Sequence, residues 1–414
     1  MKNSGFWIKL CVFNFFIVSV IGVMMRYGMA FSLRGICHTF MQESHSHFAF
    51  YGWVSAAIYI FVTRYLSEHI NKIKIRKYEI LMIFNQLGSY GMLFSFLYGG
   101  YFWLSIVFSS VVLFTGFAYF IFLMMDTKIS SEPEVIWLKV GAFFAVFSSI
   151  GIFGLAYFSG KKDEYDVLFK ASTYFYLHYQ YNGFFMFSCI GLFLTVLKKY
   201  KICIPGKLNR NIFYLLFTAC LFGYGLSVLW IPMEDICRAF FCFISILQVL
   251  GIMKLLIWSK KTNVFRNQDF IKKILLSVSG LAFFSKCILQ TLSAVPALGT
   301  IVFSNVNIVI AYLHLVLLMG VSLFLIWIIV ELYTVKISKM LQKKHYTDDF
   351  RYCTKRNYFS IGGCSFRFLY PFSVCILCAS FCFCADHAFY RLFSERAHSC
   401  IITLPKSLRS FILY

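Results

Sequence analysis

Four of the nine histidines fall within or at the edge of long apolar runs. His45 and His47 stand in Ser44-His45-Ser46-His47-Phe48, His178 in Tyr176-Leu177-His178-Tyr179-Gln180, and His314 in Ala311-Tyr312-Leu313-His314-Leu315. An ionisable ring among hydrocarbon chains is costly without a partner, so imidazole at membrane depth marks a candidate site. The bland outcome is hydrogen bonding between helices or placement at headgroup level. The sharper outcome is axial ligation, because two imidazoles from different helices match the axial demand of a six-coordinate haem iron. On a helix turning about 100° per residue, His45 and His47 point about 200° apart, so only one can face a given ligand. His47 lies deeper in its run and is preferred on that ground.

The elements that must position these rings follow from composition. Apolar residues make up 60% of the 414-residue chain, aromatic residues 20% and charged residues 14%. Such a chain cannot cover a soluble surface with polar groups. The apolar residues fall into runs of the length that crosses about 30 Å of hydrocarbon. The runs are Phe6–Met25, Phe48–Tyr65, Ile80–Leu97, Phe102–Met125, Val135–Phe158, Tyr174–Leu197, Ile212–Ile231, Ala239–Trp258, Ile271–Leu292 and Phe303–Glu331. A weaker eleventh candidate is Phe366–Ala385. The fold class is therefore all-α: a polytopic transmembrane bundle of about 10–12 helices.

Connector charge sets the expected orientation, since short cytoplasmic loops are enriched in Lys and Arg. Basic clusters follow the second run (Lys72, Lys74, Arg76, Lys77), the sixth (Lys198, Lys199, Lys201, Lys207, Arg210), the eighth (Lys260, Lys261, Arg266, Lys272, Lys273) and the tenth (Lys336, Lys339, Lys343, Lys344). The connectors Gly99–Tyr101 and Ser293–Val302 carry no basic residue. Between the fifth and sixth runs, Lys161, Lys162 and Lys170 are offset by Asp163, Glu164 and Asp166. This places the N-terminus on the cytoplasmic side. The even-numbered runs then share one direction, and their first halves, with the four histidines, share the outer leaflet. His314 stands about 16 Å into its run if the helix begins at Phe303.

Lys2 precedes the first run and Lys9 lies in its first turn, but no small-residue cleavage site follows it, so it reads as a retained helix. The net charge of +22 sits in connectors, not in a nucleic-acid-binding stripe or motif, and nucleic acid is not an expected partner. Residues 1–345 form the expected bundle. In the tail, residues 346–414, the character changes: Cys353, Cys364, Cys375, Cys378, Cys382, Cys384 and Cys400 stand among scattered Arg and Ser. Either a divergent eleventh span or a shift of reading frame near Tyr346 accounts for it. The fifteen cysteines lack metal-knuckle spacing and read as small apolar residues.

Three of the runs resemble a known family. His45-Ser46-His47 followed by Gly52-Trp53 resembles the His-bearing second helix of haem–copper (cytochrome c) oxidase subunit I and of related nitric-oxide-response haem membrane proteins. His178-x-x-x-x-Gly183-Phe184-Phe185 resembles its copper-ligand helix, and Ile310-Ala311-Tyr312-Leu313-His314 the helix carrying a His-x-His pair. The resemblance covers the first ten runs through short motifs, and their order and helix numbers are the stronger signal. It implies a divergent bacterial member in the cytoplasmic (inner) membrane. His314 would be the low-spin haem b ligand opposite His47 or His45. The implied partners are respiratory membrane subunits or a cytochrome electron donor, and the implied role is electron transfer or sensing of redox state or nitrogen oxides.

The departures narrow that expectation. Tyr312 stands where the high-spin haem ligand belongs, and Ile212–Ile231 lacks the two adjacent copper-ligand histidines. His178 alone cannot hold a copper ion that needs three imidazoles, so neither copper nor oxygen reduction is expected. The alternative reading is a cofactor-free transporter or structural membrane protein. Lys286, with Gln290 one turn on, is a snorkelling lysine or a partner for a haem propionate or for Glu43. Arg26 lies on the same side and is a second propionate candidate. Tyr174, Tyr176, Tyr179 and Tyr181 read as an interfacial aromatic belt. No phosphate loop, Ser-His-Asp set or His-Glu-x-x-His helix occurs, and paired carboxylates are absent from the runs.

Overall fold

The computed structural model describes residues 4–332, except positions 32–34, 36, 69–71, 129, 263 and 265–267 in connectors. The tail at 346–414, the candidate Phe366–Ala385 and the question of a shifted frame lie outside the described residues. Within them the chain is all-α, and ten helices are long and apolar enough to cross a membrane. They are α1 (Ser4–Gly28), α2 (His38–Leu66), α3 (Ile75–Gly99), α4 (Trp103–Asp126), α5 (Pro133–Ser159), α6 (Asp166–Lys199), α7 (Gly206–Val228), α8 (Asp235–Lys261), α9 (Phe270–Leu292) and α10 (Val306–Leu332). This is a multi-pass membrane protein whose outer helices face lipid. The reason for helix alone is that hydrocarbon offers no hydrogen bonds, so each span must satisfy its own backbone.

Three helices occupy the middle. The apolar window of α6 is wholly enclosed and that of α2 is 78% buried, against 22% for the lipid-facing α4. The Trp53 indole N–H donates to Ser322 Oγ at 2.8 Å, tying α2 to α10, and the Tyr176 hydroxyl meets that of Tyr51 at 2.9 Å, tying α6 to α2. The rings of Tyr181 and Tyr312 meet edge to face at 6.4 Å between α6 and α10.

These same helices share a feature that hydropathy does not reveal. Each widens into a π-helical stretch directly after a histidine: Phe48–Ser55 after His47, Tyr179–Phe185 after His178, and Leu315–Ser322 after His314. Such wide turns hold one extra residue and leave carbonyls poorly paired within the helix, and they concentrate at functional sites. Neighbouring helices supply the missing donors. Asn14 of α1 donates to the Gly52 carbonyl at 2.6 Å, Asn85 of α3 to that of Tyr51 at 3.0 Å, and Ser279 of α9 to that of Gly320 at 2.7 Å. Asn14 is itself held by Gln86 at 2.8 Å and by the Tyr90 hydroxyl at 2.6 Å.

The opposite end of the bundle, where the basic connectors lie, is stapled by three carboxylates at span ends. Asp126 takes Lys77 at 3.0 Å and the Tyr78 hydroxyl at 2.9 Å. Glu134 takes Lys198 at 2.8 Å and the Tyr65 hydroxyl at 3.2 Å. Glu331 pairs with Lys272 at 2.9 Å and accepts from Tyr200. Glu134 is 3% exposed. Its replacement by leucine strips Tyr65 of that acceptor and should cost about 1–3 kcal/mol, read as a lower midpoint of thermal unfolding in detergent.

Candidate functional site

The helix starts put two histidines at similar distances from the first residues of their helices. Hydropathy places the beginning of the second span at Phe48, but α2 begins at His38, so His45 lies seven residues in, about 10 Å along the axis. The drawn tenth run from Phe303 spans two elements. A short helix, Pro296–Ser304, ends at Asn305, whose side chain accepts from the Asn307 N–H at 3.0 Å and caps the next helix. His314 is therefore eight residues into α10, about 12 Å, within about one residue rise of the distance of His45 from the start of α2.

His45, not His47, has His314 within electrostatic reach, and it lies near the Val18 carbonyl of α1. Its Nδ1 is buried without a hydrogen-bond partner. Room for the ring comes from Gly22, where an added Cβ would stand 3.2 Å from His45 Cε1. His314 Nδ1 donates to the Ile310 carbonyl at 2.8 Å, which fixes that tautomer and assigns the basic lone pair to Nε2. An outer-shell carbonyl on one ring nitrogen is the usual support for an imidazole that ligates through the other.

His47 is engaged elsewhere. Its Nδ1 reaches the Glu43 carbonyl at 2.9 Å, its Nε2 the Tyr101 hydroxyl at 3.2 Å, and its ring stacks on Phe96 at 4.4 Å between centroids. Both His47 ring nitrogens are thus occupied, whereas His45 keeps its Nδ1 unpaired and has His314 within electrostatic reach. Glu43 belongs to this same outer cluster, with its carboxylate 3.8 Å from His47.

His178 is buried in α6 with both ring nitrogens occupied. Nε2 meets the Cys220 carbonyl at 2.9 Å, while Nδ1 meets Ser227 Oγ at 3.1 Å and Asn182 Nδ2 at 3.1 Å. Its ligand capacity as a metal site is taken up by these bonds. Lys286 is 1% exposed and lies within electrostatic reach of His178, Cys220 and Cys287, not beside Glu43. Tyr312 shares that electrostatic neighbourhood through Cys287. As Tyr312 and His314 are two residues apart, they leave α10 about 200° from one another, which separates the Lys286 surroundings from those of His45. Arg26 is exposed on α1, one turn beyond Gly22 on the same face.

Sequence reasoning missed the partners and spaces around these rings: Gly22, the Val18 and Ile310 carbonyls, and the Ser227–Asn182 pair around His178. One signal was readable, Ser304-Asn305-Val306-Asn307, a capping sequence that marks a new helix start. Comparison with protein-family models and with curated protein sequences finds no match.

Proposed function

We propose that this chain is an oxidase subunit I-like protein of the bacterial cytoplasmic membrane that holds one low-spin haem b between His45 and His314. The observation that carries the reading is two imidazoles on different helices within electrostatic reach of one another, one with an unsatisfied buried nitrogen and the other with its tautomer fixed by a carbonyl. When bound, the haem supplies reversible one-electron chemistry suited to electron transfer or to sensing of redox state or nitrogen oxides.

The chain's own residues do the rest. Gly22 admits the His45 ring, the Ile310 carbonyl orients the His314 imidazole, and the Trp53–Ser322 bond holds the two helices together. Arg26 stands at the outer end, where a propionate would need a cation. The test is a reduced-minus-oxidised spectrum of protein purified from haem-replete cells. A sharp b-type α-band is expected, and a colourless, folded protein would overturn the proposal.

A cofactor-free transporter is the second reading. It is favoured by the three interrupted central helices, since broken helices at mid-membrane also form transporter substrate sites. The haem reading accounts in addition for the paired histidines.

We further infer a cytoplasmic N-terminus from the basic connectors. Cys37 and Cys237 are exposed near the histidine-bearing end and Cys203 near the basic end. In single-cysteine variants, a membrane-impermeant maleimide added to intact spheroplasts should label Cys37 and Cys237 but not Cys203; the reverse pattern would invert the topology.

A further inference from the structure

We propose that Lys286 is the centre of a second site, distinct from the histidine pair, that binds one small monovalent anion among α6, α7, α9 and α10. Lys286 Nζ has no hydrogen-bond partner among the described residues, although its side chain is almost fully enclosed. A buried ammonium requires a counter-charge, and an unpaired one is among the most costly groups a protein can enclose. The described carboxylates that form ion pairs serve other places: Asp126, Glu134 and Glu331 staple the basic end, Glu43 sits beside His47, and Glu132, Asp166 and Asp269 lie at the surface.

The surroundings are polar but uncharged. Ser227 and Asn182 lie against His178, which is within electrostatic reach of Lys286. Unsatisfied polar atoms recur around it: Asn182 Oδ1 beside His178, and Gln290 Oε1 one turn along α9 from Lys286. Rotation of the Gln290 amide would present N–H donors in place of the unsatisfied oxygen. One cation among neutral donors calls for one negative charge, which selects a monovalent ion. The tight packing of Cys220 and Cys287, each 0% exposed, selects a compact one of the size of chloride or nitrite. Since His314 and Tyr312 leave α10 on different sides, the site does not require haem at His45–His314, and its test is independent of that reading.

The experiment is thermal unfolding of the full-length protein in detergent at constant ionic strength, with gluconate replaced stepwise by chloride, bromide, nitrite or formate. At least one of these should raise the unfolding midpoint by several degrees with saturation, as binding to the native state alone requires. Lys286→Met should abolish the anion dependence, and should equal or exceed the wild type in gluconate because the uncompensated charge is gone. A wild-type midpoint insensitive to all four anions, or an equal response in Lys286→Met, would overturn the proposal. Should Lys286→Met fail to fold, anomalous scattering from crystals of the wild type grown in bromide decides the matter: a peak within hydrogen-bond distance of Lys286 Nζ supports the site, and its absence there refutes it.

Discussion

His45→Ala or His314→Ala should remove the b-type α-band entirely, whereas His47→Ala should retain it. A six-coordinate low-spin iron needs both axial imidazoles, so loss of either one abolishes the spectral class. His47 instead bonds to Glu43 and Tyr101 and stacks on Phe96, and its removal leaves the facing pair in place. The expected effect of His47→Ala on haem affinity is at most that of an outer-shell change, about 10–100-fold. Exogenous imidazole separates a lost ligand from a misfolded protein: the cavity left by His45→Gly should accept it and recover the band. Persistence of the band in His45→Ala, or its loss in His47→Ala alone, would reverse the assignment.

The second large effect concerns the support of α6. A Cβ added at Gly151 of α5 would stand 2.6 Å from both the Ser172 carbonyl oxygen and the Tyr176 amide nitrogen. These are backbone atoms, which cannot swing aside as a side chain can. Glycines recur along this interface: Gly141 meets Ser188 and the Phe184 carbonyl, Gly154 meets Ser172, and Gly183 of α6 meets Phe144. Close backbone approach through small residues drives helix association where lipid removes the hydrophobic term. Gly151→Ala should therefore cost about 3 kcal/mol, at the upper end of overpacking penalties. Gly151→Leu should yield no folded protein by size-exclusion chromatography in detergent. An unaltered elution profile and unfolding midpoint in Gly151→Leu would show that α5 and α6 can part without loss.

Much of the scaffold was legible because its physics is one-dimensional. Hydrocarbon thickness sets run length, and all ten runs reappear as helices. The helix starts were not legible in the same way. The first turns of α2 contain His38, Gln42, Glu43, Ser44 and His45, polar residues that hydropathy assigns to a connector. His38 and Gln42 are exposed, but the stretch is anchored on its inner side, with Ser44 buried and donating to the Leu93 carbonyl at 2.8 Å. Azimuth was the second gap. Choosing between His45 and His47 requires knowing which side of α2 faces α10, and no composition rule supplies that. Lys286 shows the same limit from the other direction: sequence offers a snorkelling lysine, whereas its position on α9 turns it inward to 1% exposure.

The wide turns after His47, His178 and His314 have a mechanical consequence for these three helices. Each inserts one residue, so the segment below it is rotated by about 100° relative to an uninterrupted α-helix. The histidine-bearing upper half and the charge-stapled lower half of each rod are therefore phased separately, like two shafts joined at a keyed coupling. Deleting one residue from such a turn, for instance Ala49, would leave Glu134 and Tyr65 to pull the lower half of α2 into place while wrenching the imidazoles above it out of line.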